Sequence, residues 1–160
     1  HNWGKEHAWT YAYGNCQLWD DQTRRTIDGF SARIKLGMGI TSPWLTTLVS
    51  QEPNLTLNGP GSWFGGVSVT PTSWSVIRRS STLKMTTTDE HLVGLRYAHP
   101  DESESYCYNT KFADVNWTVG TEVYTSKMGE LEVLTPTPVD GVALFPELGW
   151  DQTQGDYSNQ

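Results

Sequence analysis

Ala8-Trp9-Thr10-Tyr11-Ala12-Tyr13-Gly14-Asn15-Cys16-Gln17-Leu18-Trp19 is the stretch that decides the fold class. In a strand, successive side chains point to opposite faces. Trp9, Tyr11, Tyr13, Asn15, Gln17 and Trp19 then share one face, and Ala8, Thr10, Ala12, Gly14, Cys16 and Leu18 share the other. One face is large, aromatic and amide-bearing; the other is small. An ordinary strand puts aliphatics inside and charges outside. Rings mixed with amides read instead as the wall of a cavity, with rings giving apolar area and amides fixing a polar group of a ligand. The alternative is that the rings pack an amphipathic core and reach solvent with their polar tips.

Similar alternation recurs outward from this stretch. Phe30–Leu36, Trp44–Ser50, Ser62–Val69, Ser73–Ser80, Thr82–Thr88, Leu92–His99, Tyr108–Val119 and Glu122–Leu134 are rich in Thr, Val, Trp and Tyr, which suit a pleated, half-buried surface. Turn formers separate them: Asp20-Asp21, Gly37-Met38-Gly39, Glu52-Pro53-Asn54, Asn58-Gly59-Pro60-Gly61, Pro100-Asp101 and Gly120. No long segment carries a helical period. About nine strands with short connections predict an antiparallel meander that closes into a barrel or splits into a sandwich. Residues 1–150 are expected to form one domain, and residues 151–160 a polar tail.

Composition narrows the function classes. Hydrophobic residues make up 36% of the 160, and 8 Trp, 7 Tyr and 4 Phe exclude a disordered chain. The net charge of −7 argues against a nucleic-acid partner and against peripheral binding to an anionic membrane. No apolar run approaches the ~20 residues of a membrane helix. The chain opens on His1 without Met, which reads as a processed, truncated or incomplete product. Sequons at Asn54 and Asn116 hint at a secretory route without fixing a localisation. Cys16 and Cys107 are compatible with one disulfide or with two buried free thiols. Two Cys and four scattered His match no zinc-finger spacing.

His1-Asn2-Trp3-Gly4, the aromatic alternation and Asn15-Cys16-Gln17-Leu18-Trp19-Asp20 come in an order that resembles the tocopherol cyclase, carotenoid hydratase and fungal Diels–Alderase group of lipocalin-like proteins. Phe30-Ser31-Ala32-Arg33-Ile34 is similar to that group's next strand. Tyr124–Val133 is similar to a late strand of tocopherol cyclases, and Cys107 with Asn109-Thr110-Lys111 sits where the group often has a Cys-containing strand. The resemblance implies an all-β, antiparallel up-and-down lipocalin-like (calycin) barrel of about nine strands. It also implies the C-terminal half of a two-barrel protein, with an N-terminal lipocalin-like domain missing, cleaved or on another polypeptide.

The function so implied is that of a natural-product cyclase or pericyclase. It would fold an apolar polyene, polyketide or terpenoid against aromatic walls and promote ring closure, with no cofactor and no metal. Holding the reacting atoms close and hydrogen-bonding a carbonyl would supply the catalysis. The catalytic candidates are Asn15, Tyr13 and His7, the last as an acid–base group beside the aromatic strand. The wall candidates are Trp3, Trp9, Tyr11 and Gln17. Trp44, Trp63 and Trp74 are further wall candidates, with plain packing the simpler role for each. Glu130 and Glu132 alternate with Leu131 and Val133 and should face solvent; Asp114 could face either way. His91 and His99 read as strand-end histidines. Two other functions fit the same residues. One is a non-catalytic lipocalin carrier of a hydrophobic small molecule. The other is a secreted copper-dependent polysaccharide monooxygenase, with His1 and His91 or His99 as ligands.

Overall fold

The computed structural model describes residues 8–58, 65–98 and 103–145. Its strands are β1 (Thr10–Cys16), β2 (Thr26–Arg33), β3 (Lys35–Gly37), β4 (Ile40–Thr41), β5 (Leu45–Gln51), β6 (Leu55–Leu57), β7 (Gly66–Thr70), β8 (Ser73–Arg78), β9 (Ser81–Thr86), β10 (Val93–Ala98), β11 (Glu104–Val119), β12 (Glu122–Thr135) and β13 (Leu144–Phe145). One large sheet runs β6-β5-β2-β1-β12-β11-β9-β8-β7, while β3 and β4 form a small hairpin of their own. Among the described residues every pairing is antiparallel except the short contact of β10 with β13. Because β1 pairs with β12, sequence order runs round the sheet, and among the described residues β6 and β7 end this path. The sheet curls into a half-barrel, consistent with the lipocalin-like barrel that the resemblance implies.

The concave side is filled. Trp74 of β8 and Trp117 of β11 are fully buried there with Ile27, Leu48, Leu83, Met85 and Leu131. Each of these two indoles has a hydroxyl partner: Trp74 Nε1 donates to Ser31 Oγ at 3.1 Å, and Trp117 Nε1 donates to Ser81 Oγ at 3.3 Å. Ser31 in turn lies 3.0 Å from the Thr46 hydroxyl, so the polar atoms that accompany the tryptophans are satisfied. Trp74 fits because β1 and β2 present glycines to it. A Cβ on Gly14 would stand 2.6 Å from the Trp74 ring, and one on Gly29 would stand 2.7 Å from it. Trp19, beyond the end of β1, closes the same core against Trp117 and Tyr124, with ring centroids 5.8 and 6.2 Å away.

The hairpin of β11 and β12 carries two opposed irregularities. Inward positions are Tyr108 and Thr110, then Ala113, Val115 and Trp117; the parity changes across Lys111 and Phe112, both exposed. In β12 it changes across Lys127 and Met128, also both exposed. These are β-bulges, each adding one unpaired residue and re-aiming its neighbours. A hydroxyl closes each one: Phe112 N–H donates to Thr110 Oγ1 and Met128 N–H to Ser126 Oγ, both at 3.0 Å. The bulge in β11 also marks a change of neighbour. Glu104–Asn109 pairs with β10, and Asp114–Val119 pairs with β9.

Two expectations need correction. The ring-bearing side of β1 does not line a lumen. Ala12, Gly14 and Cys16 point into the core, whereas Tyr11, Tyr13 and Asn15 lie on the outer, convex face. The small side is inside because the Trp74 indole occupies the space that larger side chains would need. Trp74 is therefore core, not a cavity wall. The segment read as Phe30–Leu36 is also split, ending β2 at Arg33 and opening the separate β3–β4 hairpin.

A methyl group at Gly14 should collide with Trp74, so Gly14→Ala is expected to cost about 1–3 kcal/mol. Gly66→Ala, where the nearest atom would be 3.5 Å away, should change stability by less than about 1 kcal/mol. Urea midpoints of the two variants compare them, and equal losses would contradict the filled interior.

Candidate functional site

The outer face of β1 and its neighbours is a grid set by strand register. One row crosses the sheet as Cys107, Leu134, Tyr11 and Ala32; the next as Asn109, Glu132, Tyr13 and Phe30; the third as Glu130, Asn15 and Asp28. Tyr11 stands opposite the small Ala32, so its ring leans toward Phe30, with centroids 5.6 Å apart. Tyr13 Oη donates to Asp28 Oδ2 at 2.9 Å, and Asn15 Nδ2 donates to the same oxygen at 3.1 Å. Asp28 thus orients two donors side by side. An amide carries two N–H donors, and Asn15 directs them at Asp28 and toward the Tyr13 phenol oxygen. Burial, with the Asp28 bond second, pushes the Tyr13 phenol up to about 12.

A tighter polar cluster lies in the adjoining rows. Tyr11 Oη donates to one oxygen of Glu132, and Asn109 Nδ2 donates to the other at 3.0 Å. The Cys107 thiol is buried beside them. Burial first, then the Glu132 charge, pushes that thiol up to about 12. Burial, then Cys107 and Glu132, raises the Tyr11 phenol well above its ordinary value. Both groups therefore keep their protons at neutral pH, so Tyr11 remains a hydrogen-bond donor. The face holds the carboxylates of Asp28, Glu130 and Glu132, with Lys111 ion-paired to Glu130.

The two bulges open a groove of about 510 Å³ further along the outer face of β11 and β12. Phe112 and Met128 give its apolar floor. Thr86–Thr88, Glu90 and His91 form one rim, and the Asp114–Lys127 ion pair at 2.8 Å forms the other. The His91 and Phe112 rings lie 5.9 Å apart. A second concavity, of about 310 Å³, sits at the end of the half-barrel between Pro71 and Thr135–Pro138.

The structure gathers Tyr11, Tyr13 and Asn15 on one face; Gln17, beyond the end of β1, is exposed. Trp9 sits under Lys35, whose Nζ is 4.0 Å from the ring centroid, and Trp44 lies 5.9 Å from Arg33 Cζ. Both are remote in register from the Asp28 pair. Trp3, His7, Trp63, His1 and His99 lie outside the described residues. Asp114 points outward, and Glu132 reaches the outer face as expected but is held by Tyr11 and Asn109. Sequence reading gave no site role to Asp28, Phe30, Asn109 or Phe112. Asp28 and Phe30 sit where β2 pairs with β1, a register that alternation alone does not give. Cys16 and Cys107 are both free and buried. Cys16 faces the core, whereas Cys107 is level with Tyr11 on the outer face, five residues or roughly 16 Å up the strand. Comparison with known proteins gave no matching family model, no matching curated protein and no matching solved structure.

A thiol or phenol whose folded pKa is raised keeps its proton longer in the folded chain. Its contribution to stability is complete below the unfolded value and is lost as pH rises through the folded one. Stability should therefore fall from pH 9.0, the ordinary thiol value, toward about 12, and Cys107→Ala should flatten that fall. At neutral pH, Ellman's reagent should leave Cys107 unmodified until the chain unfolds. Rapid labelling of the native protein would contradict the buried cluster.

Proposed function

We propose that the outer face of β1 is one wall of a site for an apolar, oxygen-bearing polyene, and that the protein promotes ring closure of that molecule without a cofactor. The carrying observation is the Asn15 amide, held beside the Tyr13 phenol by their shared acceptor Asp28 and next to the Tyr11–Phe30 rings. The rings offer flat apolar surface to a polyene, and the Asn15 amide suits a carbonyl oxygen. A fixed donor needs no reorganisation when charge grows on that oxygen. Positive charge growing on the polyene would meet aromatic faces and the carboxylates of Asp28 and Glu132. Orientation against a rigid sheet supplies the remaining advantage.

A convex wall needs a second surface to exclude water. The resemblance to the lipocalin-like cyclase group suggests its source, a second lipocalin-like domain docked on this face. Carriage of a ligand within the lumen is disfavoured, because Trp74, Trp117 and Met85 occupy that space.

Incubation with a linear polyene enone tests the reading. Cyclisation leaves the mass unchanged and shifts chromatographic retention. The protein should accelerate formation of that isomer. Asn15→Ala should slow it about tenfold or more, and Tyr13→Phe, which removes a contact that positions Asp28 and Asn15, should slow it less, with far-UV circular dichroism unchanged in both. Full activity in both variants would sink the assignment of these residues. No acceleration by the unaltered protein, together with saturable binding, would turn the reading into a carrier on the same face.

A further inference from the structure

The β3–β4 hairpin stands apart from the large sheet and ends in an apolar tip. Leu36 is 60% exposed, Met38 97% and Ile40 55%. The turn is built to project: Gly37, Met38 and Gly39 all have positive φ, at 92°, 49° and 75°. The stem is fixed. Ser42 N–H donates to the Ile34 carbonyl at 2.9 Å, Ile34 N–H donates to Ser42 Oγ at 3.0 Å, and Arg33 reaches both the Ser42 carbonyl and the Thr41 hydroxyl. An exposed run of large apolar side chains on a rigid, convex projection is costly to leave in water. Its shape does not suit a small ligand, which needs a concave site.

Charge identifies the surface that suits it. The chain as a whole carries −7, yet the 23 residues from Gly29 to Gln51 hold Arg33 and Lys35 and no acidic residue. Lys35 lies over the Trp9 ring, and Arg33 lies near Trp44. The hairpin is thus an apolar point with a collar of two cations, each beside a tryptophan. Indole rings favour the headgroup level of a bilayer, and long cationic side chains extend to lipid phosphates while their stems stay in apolar surroundings. We propose that this hairpin docks the protein on an anionic lipid surface, with Leu36, Met38 and Ile40 entering the acyl boundary and Arg33 and Lys35 at the phosphates. Average charge argues against such binding; the local distribution reverses that argument. The inference is independent of the polyene site, which lies on a different part of β1 and β2.

Flotation of the full chain with phosphatidylcholine vesicles, with and without phosphatidylglycerol, is the test. The protein should float with the anionic vesicles, and added salt should release it. Met38→Asp should lower the bound fraction about tenfold or more, since a charge would have to enter the acyl boundary. Aspartate tolerates the left-handed conformation at that position, so the fold should persist, as circular dichroism can check. Lys35→Glu should weaken binding and reduce its salt dependence. Absence of flotation would overturn the proposal, as would flotation unaffected by Met38→Asp. Self-association that Met38→Asp abolishes, without vesicle binding, would make the tip an interface between copies and equally overturn it.

Discussion

The Trp74 indole crosses the interior from β8 to β2, where its N–H meets Ser31, and the packing around it follows from its size. Two strands must present bare backbone to it, which places Gly14 and Gly29 opposite the ring. With small residues required inside, the large residues of β1 are left for the outer face. One buried side chain thus sets the orientation of the strand that carries Tyr11, Tyr13 and Asn15. Trp117 is likewise fully buried, with Ser81 as the hydroxyl partner of its N–H. A buried indole with its N–H satisfied adds apolar contact without the penalty of an orphaned donor.

Strand content was legible in the sequence because alternation is local. The long strands overlap the segments that period-two patterning marks out, although β2 and β11 each begin four residues earlier, at Thr26 and Glu104. The direction of β1 was not legible. Its two faces differ clearly, but which one is inside depends on Trp74, more than fifty residues later in the chain. Aromatic rings are the usual core residues, and here the alternate face won because the space was already taken. The bulges left a readable trace, since inward parity shifts between Thr110 and Ala113 and again between Ser126 and Gly129. The partners Asp28 and Glu132 follow from register between strands far apart in sequence, which no single stretch reveals.

The outer face and the groove share a physical origin. The long β11–β12 hairpin serves two neighbours along its length, β10 and then β9, and the bulges take up the mismatch. Kinking there turns Phe112 and Met128 outward and opens the groove. Upstream of the kink the sheet is regular, and regularity makes the rows of Tyr, Asn, Asp and Glu side chains coincide. The donors rest on strands whose inner faces are locked in the core. A site built in this way is held more firmly than one built on loops.

Ligand-induced shifts in the NMR spectrum of the labelled protein would test the central claim most directly. The claim is that the interior is closed and the outer face of β1 receives the ligand. Titration with the polyene enone should move the Asn15 side-chain amide and the Tyr11 and Phe30 ring signals, while the Trp74 indole N–H stays in place. Movement of the Trp74 indole N–H, with Asn15 unaffected, would put the ligand in the interior and contradict the account.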